Sequence, residues 1–214
     1  MAYCDGIRSN HAQGRLEALI AERTQPDADK EWIDRRIWDL FGERWAVMFT
    51  DLAGFSRHVA EFGIVHFLQV IYESQRLLVP VIEEYDGILL KLEGDSLLVM
   101  FRNPAKAVAC SIAMQGVLER YNQAREPSEQ VLLCVGLGYG DVLRIGDEDI
   151  FGAEVNAASK LGEDEAEAGD ILVTSGLHDA LDEHGSFRLE PIEYVPPGAE
   201  GAFRVVYGHA GTPS

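Results

Sequence analysis

The chain is poor in the features that mark several protein classes. It has only three cysteines in 214 residues, Cys4, Cys110 and Cys134. Their odd number and wide spacing exclude a disulfide framework and a CxxC zinc site. Cys110 and Cys134 lie in apolar surroundings and read as small core residues in a reducing compartment. Long apolar runs are also missing. The longest are a few residues, far short of the ~20 that a membrane-spanning helix requires. The start, "MAYCDGIRSNHAQG", has an early acid and no apolar block, unlike a secretory signal. Basic residues are scarce, 18 against 36 acids, for a formal net charge of -18. Such a surface repels nucleic acid and anionic membranes. The expectation is a cytoplasmic protein with neither nucleic acid nor a membrane as partner. An anionic ligand would need local neutralisation, which a bound divalent metal would supply.

What is present fits one ordinary domain with some extra length. Apolar content, at 47%, is enough for a sizeable core. Residues 1–43 read as a partly detached helical extension. In it "RLEALIAER" (15–23) is a short amphipathic piece. "KEWIDRRIWDLF" (30–41) sets Ile33, Ile37, Leu40 and Phe41 on one face, and Gly42 stops the helix. "WAVMFTD" then reads as a short buried strand, and 63–87 as a long helix with a kink at Pro80. Residues 88–101 read as two strands around a turn at Glu93–Gly94–Asp95, and 104–124 as a second long helix. Residues 130–146 read as a strand with a hairpin return, 152–169 as a helix with an acidic end, and 170–174 as a strand. A final strand pair and a tail, 208–214, complete the chain. The run "EDEAEAGD" (163–170) reads as a solvated helix end. The core order strand, helix, strand, strand, helix, strand predicts an α+β fold. It is the ferredoxin-like, split βαβ arrangement: an antiparallel sheet with helices packed on it.

Two aspartates stand out on this scaffold. Asp51 ends the first core strand in "VMFTDLAGFSRHV", and Asp95 sits at the hairpin turn. In a split βαβ fold the first and third strands are central neighbours, so both carboxylates could meet at one sheet edge. Paired carboxylates with a backbone carbonyl nearby suit magnesium. Ala53 and Gly54 leave room for a bulky anion against the backbone. A strand-end and a turn aspartate in local hydrogen bonds would give the same spacing.

Three blocks carry a further signal: "FTDLAGFS" (49–56), "KLEGDSLLVMF" (91–101) and "DIFGAEVNAASK" (149–160). In order and spacing they resemble the signature blocks of class III adenylyl/guanylyl cyclase domains, over about residues 44–207. The resemblance implies a set of roles. Asp51, Asp95 and the Leu52 carbonyl would hold two Mg2+ or Mn2+ ions, and Gly54 and Phe55 would bind substrate. Lys91 and Asp149 would read the purine, in the adenylyl rather than the guanylyl pattern, so the implied substrate is ATP. Asn156 would orient the ribose. The implied unit is a head-to-tail homodimer with two sites at its interface. Taken singly, Lys91 could snorkel at a sheet edge, Asp149 could serve a turn beside Asp147 and Glu148, and Asn156 could pack within its helix.

The chain departs from the family pattern in three places. Lys160 stands where an arginine faces the transition state, and lysine lacks the planar fork that grips two oxygens. The segment "YVPPGAEGAFR" (194–204) has no lysine, and Arg204 is its only base. Glu93 is an extra acid beside Asp95, either a spare metal ligand or solvated. The leading expectation is an adenylate cyclase making 3',5'-cyclic AMP and pyrophosphate. A cyclase-like nucleotide-binding regulatory module with little turnover, or a cyclase for another nucleotide, is the alternative. Residues 1–43 could brace the dimer, couple it to a regulatory partner, or simply pack on the sheet.

Overall fold

The computed structural model describes residues 11–54, 62–147, 149–182 and 187–208. Its strands are β1 (Gly42–Leu52), β2 (Ile88–Glu93), β3 (Ser96–Phe101), β4 (Leu133–Ile145), β5 (Asp149–Phe151), β6 (Ile171–Thr174), β7 (Arg188–Ile192) and β8 (Ala202–Val206). They form one sheet in the order β2-β3-β1-β4-β6-β8-β7, with β5 on β4. Only β6 pairs in parallel, on β4. The helices are α1 (Ala12–Arg23), α2 (Lys30–Phe41), α3 (Ile64–Glu84), α4 (Pro104–Asn122), α5 (Ala153–Ser159) and α6 (Ser175–Asp182). The stretch β1-α3-β2-β3-α4-β4 with sheet order β2-β3-β1-β4 is the split βαβ core that the sequence predicts.

Alternation along the central strands sorts side chains onto two faces. Ala46, Met48, Leu97 and Val99 join Phe67 and Leu78 of α3 and Met114 of α4 in the main core. Each such buried side chain contributes roughly 1.5–3 kcal/mol, so α3 and α4 are fixed chiefly by this face. Local signals set their limits. The Asn103 side chain accepts from the N–H groups of Ala105 and Lys106 and caps α4, with Pro104 in its first turn. Helix α3 runs on through Pro80. Pro80 is exposed, so the carbonyl left without its donor lies on the solvent side. On the other face Trp45, Val47, Leu98 and Met100 gather with Val142, Ile150 and Val155.

The extension is less detached than expected. Leu19, Ile33, Ile37 and Phe41 form a satellite core with Ile145 at the end of β4. Asp29 accepts from the Trp32 N–H to start α2, and Arg23 donates to Asp34 at 2.6 Å to tie α1 to α2. Leu40, expected on the buried face, is 54% exposed. The helix packs through the i, i+4, i+8 line of Ile33, Ile37 and Phe41, and Leu40 falls about 60° from the centre of that line, on the side away from Phe41. Helix α6 was not expected. It is short and follows β6 without a loop, and its visible start signal is Thr174, whose hydroxyl accepts from the Leu177 N–H.

Candidate active site

The first half of the site grows from strand register. Strand β1 pairs β3 with Thr50 opposite Leu97, and the buried Thr50 hydroxyl accepts from the Leu97 N–H at 3.1 Å. That bond holds the β2–β3 hairpin level with the end of β1. The turn between β2 and β3 needs a left-handed residue, and Gly94 supplies it at φ 62°. Asp95 therefore stands beside Asp51, as the spacing predicts. The Asp51 carboxyl is pushed up to about 6, first by burial and then by the charge of Asp95, against a hydrogen bond from the Leu52 backbone. Glu163 adds to the same effect. Gly54 follows in a turn at φ 87°, and Phe55 lies outside the described residues.

Two mutually repelling carboxylates at a strand end fit a divalent cation, which would relieve the repulsion that now raises Asp51. Among the described residues no group of three or more His, Cys, Asp or Glu side chains forms a metal cage. A pair is the donor set expected where magnesium takes its other ligands from backbone, water and substrate phosphates.

The second half depends on a feature that the sequence does not announce. Strand β2 carries a bulge between Leu89 and Lys91, so that Leu89 faces Val99 while Lys91 faces Leu98. Without the bulge Lys91 would lie opposite Leu97, on the helix-covered face. With it, Lys91 shares the second face with Leu98. The β4–β5 hairpin turns at Gly146, φ 60°, and Ile150 packs into the cluster with Leu98 and Met100. This brings Asp149 to Lys91, with Nζ 3.0 Å from Oδ1. Both side chains are about one-third exposed. Asp149 holds the Lys91 ammonium above its ordinary range. Glu93 lies 3.7 Å from the same ammonium, so this extra acid faces Lys91. Glu148 lies outside the described residues.

The third part rides on α5. Asn156 donates to the Pro197 carbonyl at 3.0 Å and so ties α5 to the β7–β8 loop. The expected helix over 152–169 is α5 followed by a π-helical turn, Lys160–Glu165. The cause lies underneath. A Cβ on Gly136 would sit 2.1 Å from the Ala158 carbonyl, and Gly162 lies against Gly136 and the Phe49 carbonyl. Backbone rests on backbone here, and the widened turn lets the chain follow β4. Lys160 donates to Asp164 at 2.7 Å, which raises its basicity. The acidic run is thus not only a solvated end: Asp164 holds Lys160 and Glu163 acts on Asp51. Arg204, the base of the 194–204 segment, is committed to Asp170 at 2.9 Å.

Comparison with known proteins agrees with this frame. The family described as "Adenylate and Guanylate cyclase catalytic domain" matches residues 42–201. A serine/threonine-protein kinase, pkn2, of Myxococcus xanthus is 32% identical over 132 residues, 62% of this chain and 16% of its own. The putative adenylate cyclase 3 of Rhizobium meliloti is 28% identical over 148 residues, 69% of this chain and 24% of its own. The chain thus spans a quarter or less of the length of these relatives. The crystal structure of an adenylate/guanylate cyclase/hydrolase from Silicibacter pomeroyi superposes with a TM-score of 0.64 at 25% identity, covering 78% of this chain and 99% of the other. Among the described residues no helix is long and apolar enough to cross a membrane. On the family match, which takes in β1 through the start of the last strand pair and all three signature blocks, the chain belongs to the adenylate and guanylate cyclase catalytic-domain family.

Proposed function

We propose that the chain is an adenylate cyclase that converts ATP into 3',5'-cyclic AMP and pyrophosphate as a homodimer in the cytoplasm. The Lys91–Asp149 pair carries this reading. An ammonium and a carboxylate held 3.0 Å apart match the edge of adenine, where ring nitrogen N1 accepts and the exocyclic amine donates. Guanine offers the reverse at both positions and would leave both groups unpaired. The printed name of the Rhizobium meliloti relative, putative adenylate cyclase 3, points the same way.

In the reaction the ribose 3'-oxygen attacks the α-phosphorus. A new P–O bond forms, the bond to pyrophosphate breaks, and the 3'-hydroxyl loses its proton. Asp51, Asp95 and the Leu52 carbonyl are the residues that would hold the two Mg2+ or Mn2+ ions. Bound there, the ions would acidify the attacking hydroxyl and neutralise the polyphosphate. Gly54 follows Asp51 with no side chain, so phosphates can approach the backbone there, and Phe55 is the next residue assigned to substrate binding. Asn156 orients the ribose, and Lys160 faces the charge that grows on phosphorus and leaving group. The metal aspartates of one copy work with the Lys91, Asp149, Asn156 and Lys160 of the other. Leu92 and Phe151, near Lys91 and Asp149 in the chain, are half-exposed apolar side chains, surface that a second copy would cover. Residues 1–43 brace this unit or receive a regulatory partner, and Trp32 and Trp38 are available for that on α2.

The test is a panel of four nucleoside triphosphates with Mn2+ and the pure chain. Cyclic AMP as the main product is expected. Cyclisation of another base in preference to ATP would replace the substrate assignment, and no product at high enzyme concentration would overturn the enzyme reading.

A second reading is favoured by one observation. Lys160 and Arg204 both face acids of their own chain, as suits a nucleotide-binding regulatory module with little turnover. Calorimetry separates the two, since the module binds ATP without forming product. On the enzyme reading, Lys160→Arg is expected to raise kcat by ~10-fold, because the guanidinium grips two oxygens at once. Asp164→Asn is expected to raise it by a few-fold through release of the ammonium, since so exposed an ion pair holds only weakly. An unchanged rate in both variants would remove Lys160 from the reaction.

A further inference from the structure

Glu154 is a partly buried carboxylate for which no role has yet been given. It lies in the first turn of α5, two residues before Asn156. Its Oε2 accepts from the Tyr139 backbone N–H of β4 at 3.1 Å and from the Thr174 hydroxyl at the end of β6 at 2.6 Å. The Thr174 oxygen is itself fixed, because it accepts from the Leu177 N–H of α6. One side-chain oxygen thus joins α5, β4, β6 and α6.

The seat for this side chain is made of glycine. A Cβ on Gly138 would come within 2.9 Å of Glu154 Oε2, one on Gly140 within 2.7 Å of Cγ, and one on Gly176 within 2.7 Å of Oε1. At Gly140 the three nearest atoms all belong to the Glu154 side chain. The β-carbons at Gly138 and Gly176 would strike backbone as well, the Glu154 carbonyl at 2.5 Å from Gly138 and the Tyr139 carbonyl at 2.7 Å from Gly176, so only Gly140 is reserved for the side chain alone. Burial raises the carboxyl, while the Thr174 and Tyr139 donors pull it back. An acid in such a place costs stability unless it is hydrogen-bonded, and once its bonds are made it rigidifies the elements it joins. The α5 backbone then lies directly on the β4 glycines, and the π-helical turn continues from it to Lys160.

We propose that Glu154 is a positioning residue that locks α5 onto β4 and so sets where Asn156 and Lys160 stand toward the nucleotide. The inference deepens the cyclase reading and rests on it for its kinetic part. It makes no use of Asp51, Asp95, Lys91 or Asp149, none of which lies on α5.

The test compares Glu154→Ala, Glu154→Gln, Gly140→Ala and the Glu154→Ala/Gly140→Ala double variant in the intact chain. Glu154→Ala is expected to lower kcat by ~10- to 100-fold, the scale of a displacement of about 1 Å in a positioned group. Its KM for ATP stays within about 3-fold, because the base-reading pair is untouched. Glu154→Gln keeps an oxygen for both donors and is expected within about 3-fold of the unaltered kcat. Gly140→Ala alone lowers kcat by pushing the glutamate out of its seat. In the Glu154→Ala background it adds nothing, since the atoms it would strike are gone. A Glu154→Ala variant with unaltered kcat, a Gln variant as impaired as Ala, or additive effects of the two alanines would each overturn the proposal. Should the unaltered chain make no cyclic nucleotide, the cyclase reading fails separately. Amide exchange at residues 153–160 then decides the lock: faster exchange in Glu154→Ala supports it, and equal protection refutes it.

Discussion

Asp51→Asn is expected to lower cyclic nucleotide formation by at least ~10²–10³-fold, the scale of removing one preorganised electrostatic group from a reaction that builds charge. The same variant loses the thermal stabilisation that Mn2+ gives the unaltered chain, because a ligand that binds only the folded state stabilises by mass action. The two readouts together separate a metal role from a merely local hydrogen bond. A further signature lies in the metal-free protein. The folded-state value of Asp51 is about 6, above the ordinary 3.8. The unfolded chain therefore ionises first as pH rises. The stability this group allows is fully present below about pH 4 and is lost as pH rises through about 6. Asparagine mimics the neutral acid. Asp51→Asn is thus expected to melt higher than the unaltered metal-free chain at pH 7.5, with the difference closing toward pH 4. Superimposable melting curves at both pH values would show that Asp51 is neither buried nor crowded by Asp95 in solution. A persistent rate in the variant would remove the carboxylate from the reaction.

The second large effect falls on the base. Asp149→Ala and Lys91→Ala are each expected to lower kcat/KM for ATP by ~10- to 100-fold, since a recognition group left unpaired costs roughly 1–3 kcal/mol. The loss should be greater for ATP than for GTP, so the preference between them shrinks by about 10-fold or more. The double variant should be little worse than either single one, because the two groups act as one unit. Melting temperature should hardly move. An ion pair about one-third exposed is screened by water and contributes little to folding. An equal loss for all nucleotides, or a fully additive double variant, would dissociate the pair from base reading.

These variants also test how the site is divided. Asp51 and Asp95 meet through pairing of adjacent strands, close in topology. Lys91 and Asp149 meet through a hairpin that folds across the sheet. Both encounters were anticipated, but on different grounds. The first is dictated by the split βαβ order, which makes β1 and β3 neighbours and puts a β2–β3 turn at the end of β1. The second came only through family likeness. Nothing in the local pattern of "GILLKLEGD" signals the extra residue that turns Lys91 to the second face. The acidic stretch shows the same limit. Charge runs read as solvated, yet the packing of the turn on β4 brings Glu163 toward Asp51, while Asp164 reaches Lys160 as an ordinary i, i+4 pair. Leu40 was misplaced because a helical face spans several positions, and tertiary packing chose the line one residue away.

The sequence by itself determined the split βαβ core, the neighbouring of Asp51 and Asp95, and the family. Hydrophobic period, turn residues and block spacing are local, and they add up along the chain. The tertiary structure alone decided the direction of Lys91, the partner of Arg204, and the glycine seat of Glu154. Each of those depends on contacts between segments far apart in the chain, where a single bulge or one missing β-carbon changes which atoms meet.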